Sequence, residues 1–210
     1  MKKRVKMKLF FILALSTTLT FLNADDSKEP KLGFTLKIDN KVIKLEENKA
    51  VKLKGISENP TVTLVPDKYR YFTYAGLKFY YPSNMAFEAD FSEQNLKMWT
   101  LDGSDFVLSV HHYLNLTITA KSLAAQLKAY YGKKTTTAPI SYTFNGVKYS
   151  GIRVRATIAG SGIIQDVLEL PAKNGSRILI LQDAIASEKV SEDERNLILG
   201  LLKKSFKATP

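Results

Sequence analysis

The sequence predicts an α+β protein: a mostly antiparallel sheet flanked by helices, an α/β/α sandwich, preceded by a short β-rich segment. Three observations carry this. Apolar and polar residues alternate in run after run between Phe34 and Gln182, the period of a half-buried strand. Asp102-Gly103, Asn145-Gly146 and Asn174-Gly175 stand between such runs, and these are hairpin-turn dipeptides. Two stretches, opening at Thr119 and at Ser191, carry apolar residues at helical spacing instead.

The N-terminus reads as a targeting segment. Residues 1–8 hold Lys2, Lys3, Arg4, Lys6 and Lys8, residues 9–22 hold no charge, and Asn23-Ala24 precede Asp25-Asp26. A basic start, a short apolar run and a small residue at the junction make a secretory signal peptide over 1–24, with cleavage expected after Ala24. As a helix the 14-residue apolar run spans roughly 21 Å, short of a ~30 Å hydrocarbon core. Leu22 fits such a junction imperfectly, which keeps an uncleaved anchor as the alternative. No later stretch is long and apolar enough to span a bilayer.

Residues 25–32, DDSKEPKL, read as a flexible leader. Over 33–65, Phe34/Leu36/Ile38, Ile43/Leu45, Val51/Leu53 and Val62/Leu64 predict three or four short strands. This accessory segment is too small to fold well alone and is expected to pack on the main domain, which runs over 66–210. In that domain Leu77, Phe79 and Tyr81 alternate up to Pro82, and residues 96–101 and 105–114 form strands around Asp102-Gly103. Thr119 caps a helix to Tyr131, with Leu123, Leu127 and Tyr130 on its stripe and Gly132 at its end.

After Asn145-Gly146 the alternation is odd at Val147 and Tyr149, then even from Ile152 to Ile158. A bulge at Gly151 would produce that slip. Arg153 and Arg155 then project opposite to Ile152 and Val154. Gly160-Ser161-Gly162 leads into Ile163–Leu170, and Asn174-Gly175 into Arg177–Gln182, which is apolar on both faces. Ser191 and Glu194 form a capping box before a helix whose stripe is Leu197, Ile198, Leu201, Leu202 and Phe206.

This order, with G-L-K-F-Y-Y-P at Gly76–Pro82 and the capped terminal helix, resembles the PsbP-like fold over roughly residues 71–207. That family includes the extrinsic photosystem II protein and a nuclear Ran-binding protein. The resemblance implies an α/β/α sandwich. Its members have unrelated roles, so no activity and no site residue comes with it.

The chain has no Cys and two His. That excludes a disulfide scaffold, thiolate metal sites and a Cys nucleophile. His111 and His112 are strand neighbours pointing to opposite faces, so they cannot chelate one ion. His112 shares a face with Leu108 and Val110 and reads as a core or boundary residue; His111 shares one with Ser109 and reads as solvated. No G-x-S-x-G elbow is present, and Gly160-Ser161-Gly162 precedes a strand, which is wrong for a phosphate loop. The carboxylates at Asp25-Asp26, Glu46-Glu47 and Glu192–Glu194 are explained by leader, turn and helix start. No catalytic, cofactor-binding or metal-binding residue is assigned, and no cofactor is expected.

What remains is an exported soluble protein, periplasmic or extracellular, that binds rather than catalyses. The formal charge is +11, and loss of 1–24 removes five cations and no acid, leaving +6. A protein partner or an anionic envelope component suits that charge, and nucleic acid is not expected. The candidate contacts are Tyr69, Tyr71 and Tyr80, with Arg153 and Arg155. Two other classes stay open: a hydrolase whose site no motif reveals, and electrostatic association with an anionic envelope surface through turns such as Lys41–Lys54.

Overall fold

The structure is a computed structural model, and it describes residues 26–46, 49–56, 58–158, 160–185 and 192–210. The expected signal peptide and the expected cap at Ser191 lie outside the described residues. In chain order the first strands are β1 (Phe34–Ile38), β2 (Lys41–Leu45), β3 (Val62–Pro66), β4 (Tyr69–Phe72) and β5 (Leu77–Pro82). Next come β6 (Ala86–Asp90), β7 (Leu96–Asp102), β8 (Phe106–Tyr113) and helix α1 (Ala120–Tyr131). The remaining elements are β9 (Thr136–Phe144), β10 (Val147–Ile158), β11 (Ser161–Leu170), β12 (Ser176–Ile185), helix α2 (Glu192–Ser205) and β13 (Lys207–Ala208). The strands form three sheets: β2-β1-β3, β13-β5-β4 and the seven-stranded β6-β7-β8-β12-β11-β10-β9. Every strand pair is antiparallel.

The molecule is therefore a mostly antiparallel β protein, and the expected helix-flanked α/β/α sandwich is corrected. Among the described residues there are two helices for thirteen strands. α1 covers one face of the large sheet: Ala120, Leu123, Ala124 and Leu127 pack with Val154, Val167, Ile178 and Ile180. The other face is closed by a sheet as much as by a helix. Phe72, Leu77, Phe79 and Tyr81 of β4 and β5 join Ile198, Leu199, Leu202 and Phe206 of α2 and its flank over Trp99, Leu108, Leu179 and Leu181. β5 pairs with β4 and β13 in a separate sheet and covers that face of the large one. Its aromatic core is continuous: Phe72 stacks on Phe79 at 4.6 Å, and Phe79 on Phe206 at 5.7 Å.

No bulge forms at Gly151. β10 pairs without a break with β9 from Val147↔Phe144 to Arg155↔Thr136, and with β11 from Gly151↔Leu168 onward. The change of phase in the sequence records a change of covered face instead. Tyr149 faces the core under α2, and Val154 faces the core under α1. Gly151 stands between them because a Cβ there would run into the Val167 carbonyl and lie 2.9 Å from Leu168 Cα.

Helix α1 keeps its predicted cap, and both helices shift their stripes. Thr119 Oγ1 accepts from the Ser122 amide at 3.0 Å, and Ser122 Oγ returns a bond from the Thr119 amide. Tyr130 is exposed while Tyr131 packs inward, and in α2 Leu197 is exposed while Leu199 is buried. The segment from Asp26, expected to be flexible, is held to the body. Trp99 Nε1 donates to the Asp26 carbonyl at 2.8 Å, Arg70 to the Pro30 carbonyl at 2.7 Å, and the Tyr74 hydroxyl to the Lys28 carbonyl. Among the described residues β1 of the β2-β1-β3 sheet pairs with β2 on one side and β3 on the other.

Among the described residues Glu194 of α2 reaches across to the β7–β8 turn. Its carboxylate accepts from the amides of Ser104, Asp105 and Phe106 at 3.1, 2.8 and 3.1 Å, closing the β7–β8 turn onto α2. Glu194→Ala leaves those amides without that partner and is expected to cost about 2 kcal/mol. A fall in the urea midpoint at unchanged m-value checks it.

Candidate binding surface and a buried charge network

Alternation in β4 and β5 sorts their side chains. Phe72, Phe79 and Tyr81 point inward, while Tyr69, Tyr71 and Tyr80 point outward with 39%, 38% and 47% exposure. Tyr71 and Tyr80 are directly opposed, with ring centroids 4.7 Å apart. Lys78 of β5 and Lys207 of β13 are likewise paired and exposed. The structure thus brings the three candidate tyrosines onto one sheet face with basic neighbours.

Arg153 and Arg155 stand on a different sheet. Arg155 is exposed. Arg153 faces its cross-strand partner Asp166, whose exposure is 0%. Arg153 Nε and Nη2 grip the Asp166 carboxylate at 2.6 and 2.7 Å. The Tyr142 hydroxyl donates to the same carboxylate at 2.6 Å and accepts from Arg195 Nη2, also at 2.6 Å. Arg195, from α2, also donates through Nε to Asp183 at 2.9 Å. Two cations and two carboxylates thus meet between the large sheet and α2. The hydrogen bond to Asp166 holds the Arg153 pKa above its usual value. Burial pushes the Asp183 carboxyl above the usual range against the pull of Arg195. Burial, then the bond to Asp166, pushes the Tyr142 hydroxyl up to about 12.

Sequence reasoning missed Asp166, Asp183, Tyr142 and Arg195. A signal was present: Ile163-Ile-Gln-Asp166 and Ile180-Leu-Gln-Asp183 repeat a polar pair inside apolar strands. Gln165 and Gln182 are register partners on the α1 side, bonded at 2.7 Å, and Tyr131 donates to Gln165 at 3.1 Å.

The two histidines flank one strand as expected, but His111 is not solvated. It is half-buried opposite Met98 and Ile178, and burial pushes its pKa down to about 4. His112 lies opposite Lys97 and Arg177, and burial followed by the Arg177 charge lowers its pKa. Among the described residues no group of three or more His, Asp or Glu is placed to hold a metal ion. A shallow groove of about 400 Å³ runs along Tyr149, Ser150, Glu169 and Leu170. Its acid, Glu169, accepts from the Ala120 amide at 2.6 Å and so caps α1. No helix among the described residues is long and apolar enough to cross a membrane.

The charge network and His111 each set a measurable outcome. Asp166→Ala leaves the buried side of Arg153 and Arg195 without its carboxylate and is expected to cost about 3–5 kcal/mol. Tyr142→Phe, which keeps the ion pairs, costs about 1 kcal/mol; urea unfolding measures both. His111 binds a proton near pH 6.5 in the unfolded chain and at about 4 in the folded one. Stability is therefore lost as pH falls through that window. Wild type should lose about 3 kcal/mol more than His111→Gln between pH 7 and 4, measured by urea unfolding at each pH.

No protein-family model and no curated protein matches the chain, so the resemblance to the PsbP-like family at Gly76–Pro82 is not confirmed. Among solved structures it is similar to LpqN of Mycobacterium tuberculosis, described as involved in cell envelope biogenesis. Identity is 16%, coverage is 70% of this chain and 81% of that one, and the TM-score is 0.32. A superposition at that level leaves the two folds unequated.

Proposed function

We propose that this protein is an exported, non-catalytic binding module whose partner docks on the outer face of the β13-β5-β4 sheet. The observation that supports it is the outward grouping of Tyr69, Tyr71 and Tyr80 on a sheet whose inner face is aromatic core. Rings already in contact lose little rotamer freedom on binding, so less ordering opposes association. Lys78 and Lys207 make the face basic as well as aromatic, which favours an acidic protein surface or an anionic envelope component. The basic and apolar leader at 1–22 is the ground for export.

The alternatives draw less support. The raised carboxyl, Asp183, is 3% exposed and bonded to Arg195 rather than set in a cleft. Of the lysines between Lys41 and Lys54, Lys41 donates to the carbonyls of Lys54 and Gly55, Lys44 pairs with Asp67, and Lys49 pairs with Glu46. Charge in those turns is thus partly neutralised internally.

The test compares wild type with Tyr71→Ala/Tyr80→Ala in a pull-down from envelope extract at low and high salt. The variant should retain at least about tenfold less of a specific partner, since buried aromatic anchors are worth ~2 kcal/mol or more. Retention by wild type should survive salt that screens exposed charges beyond ~8 Å. Turnover in a broad hydrolase screen, abolished by Asp183→Asn or Glu169→Gln, would overturn the reading.

A further inference from the structure

Among the described residues each free sheet edge except β3 carries a charge or an internal proline, β13 with Lys207. β6 carries Glu88 and Asp90, β9 carries Pro139, β2 carries Lys41 and Lys44, and β4 carries Arg70. Charges and proline on edge strands are the usual devices that block strand addition. β3, with the sequence VTLVP, has no charge, its proline sits at its last position, and all five residues are exposed.

The backbone of β3 is set to pair outward. Its register with β1 places Thr63 opposite Lys37 and Val65 opposite Thr35. The bonds from the Asp39 amide to the Thr61 carbonyl at 2.9 Å, and from the Asp67 amide to the Gly33 carbonyl at 2.8 Å, fix the parity of that ladder. Residues 61, 63, 65 and 67 therefore turn their backbone groups toward β1. Val62 and Leu64 turn both N–H and C=O to the open side, and Pro66 turns its carbonyl. The side chains of Val62 and Leu64, each 55% exposed, continue the apolar row of Ile38 and Leu36.

We infer that two copies of this chain join along β3, antiparallel about a twofold axis, into one six-stranded sheet. An uncharged edge imposes no repulsion on its own copy. Around Leu64 the pairing lets each Leu64 amide reach the other copy's Leu64 carbonyl, and each Val62 amide the other copy's Pro66 carbonyl. The apolar row then runs unbroken across the axis, as an isologous interface requires. Exposed charges at the strand ends agree with the antiparallel sense. Glu58 flanks the start of β3 and Lys68 its end, so each meets its opposite from the other copy. This interface is separate from the tyrosine face and stands whether or not that face binds a partner.

The chain has no cysteine, so a single introduced thiol reports on the axis. A hydrogen-bonded antiparallel pair holds its Cα atoms about 5.5 Å apart, within disulfide reach. The experiment takes the exported full chain through sedimentation from about 1 to 500 μM, a range covering dissociation constants of that order. The expected result is a monomer–dimer equilibrium in wild type, with Leu64→Lys monomeric throughout at an unchanged urea midpoint. On oxidation Leu64→Cys forms a covalent dimer and Val42→Cys, on the guarded strand β2, does not. A monomer at every concentration, or a dimer that Leu64→Lys leaves intact, overturns the inference. So does a monomer that binds phosphatidylglycerol vesicles and loses that binding in Leu64→Lys, which would make a lipid surface the occupant.

Discussion

A charge cut off from water must be matched where it stands, and Asp166 imposes that demand on the middle of the large sheet. β10 meets half of it by bringing Arg153 into register as a cross-strand neighbour. The other cation, Arg195, comes from α2, and its arrival fixes where that helix sits. With Arg195 over Asp166 and Asp183, Glu194 falls on the β7–β8 turn, and Ile198 and Leu202 fall on the sheet one and two turns later. An apolar stripe alone tolerates sliding and rotation; a helix tied by adjacent residues to two separate polar groups does not. Tyr142 links both guanidinium groups to the same carboxylate, so β9 joins the assembly through its side chain.

Local chemistry was the legible part of this fold. Asn145 and Gly146 have φ of +46° and +79°, as the hairpin dipeptide implies, and Thr119 caps α1. Strands whose residues obscured the alternation were not legible. β9 contains Pro139, which reads as a breaker but is tolerated because β9 is an edge. β6 is short with acids at Glu88 and Asp90. The layer order failed for a deeper reason: periodicity shows that a sheet face is apolar, not whether a helix or a second sheet lies on it. The same limit explains Gly151, where a change of neighbour on β10 mimicked a break in pairing. Of the candidate site, Tyr71 and Tyr80 were legible through alternation, whereas the engagement of Arg153 depended on a register with β11 that one strand's sequence cannot show.

The small sheet of β1, β2 and β3 is organised differently from the body. It lacks an aromatic core and is closed largely through Asp67, the residue after β3. Asp67 accepts from Lys44 at 2.8 Å and from Thr35 at 3.3 Å, while its amide donates to Gly33. Gly33 has no room for a side chain there, since a Cβ would lie 2.5 Å from Asp67 Oδ2. Asp67 thus secures the start of β1 and the end of β2 to the point where the chain enters β4. At that point the lobe runs directly into the body, since β4 begins two residues after Asp67.

The C-terminal clip sets an order of events in time. Lys207 and Ala208 complete the small aromatic sheet by pairing with Lys78 and Leu77. The Thr209 amide bonds the Gly76 carbonyl, 133 positions earlier, at 3.0 Å, and Arg177 donates to the Thr209 carbonyl at 2.9 Å. A chain that emerges N-terminus first therefore holds Phe72, Phe79 and Trp99 before it holds the helix and strand that finish covering them. Pairings of such long sequence separation fold slowly. The small aromatic sheet therefore stays open along Gly76–Lys78 until residues 207–209 have been made and can pair there.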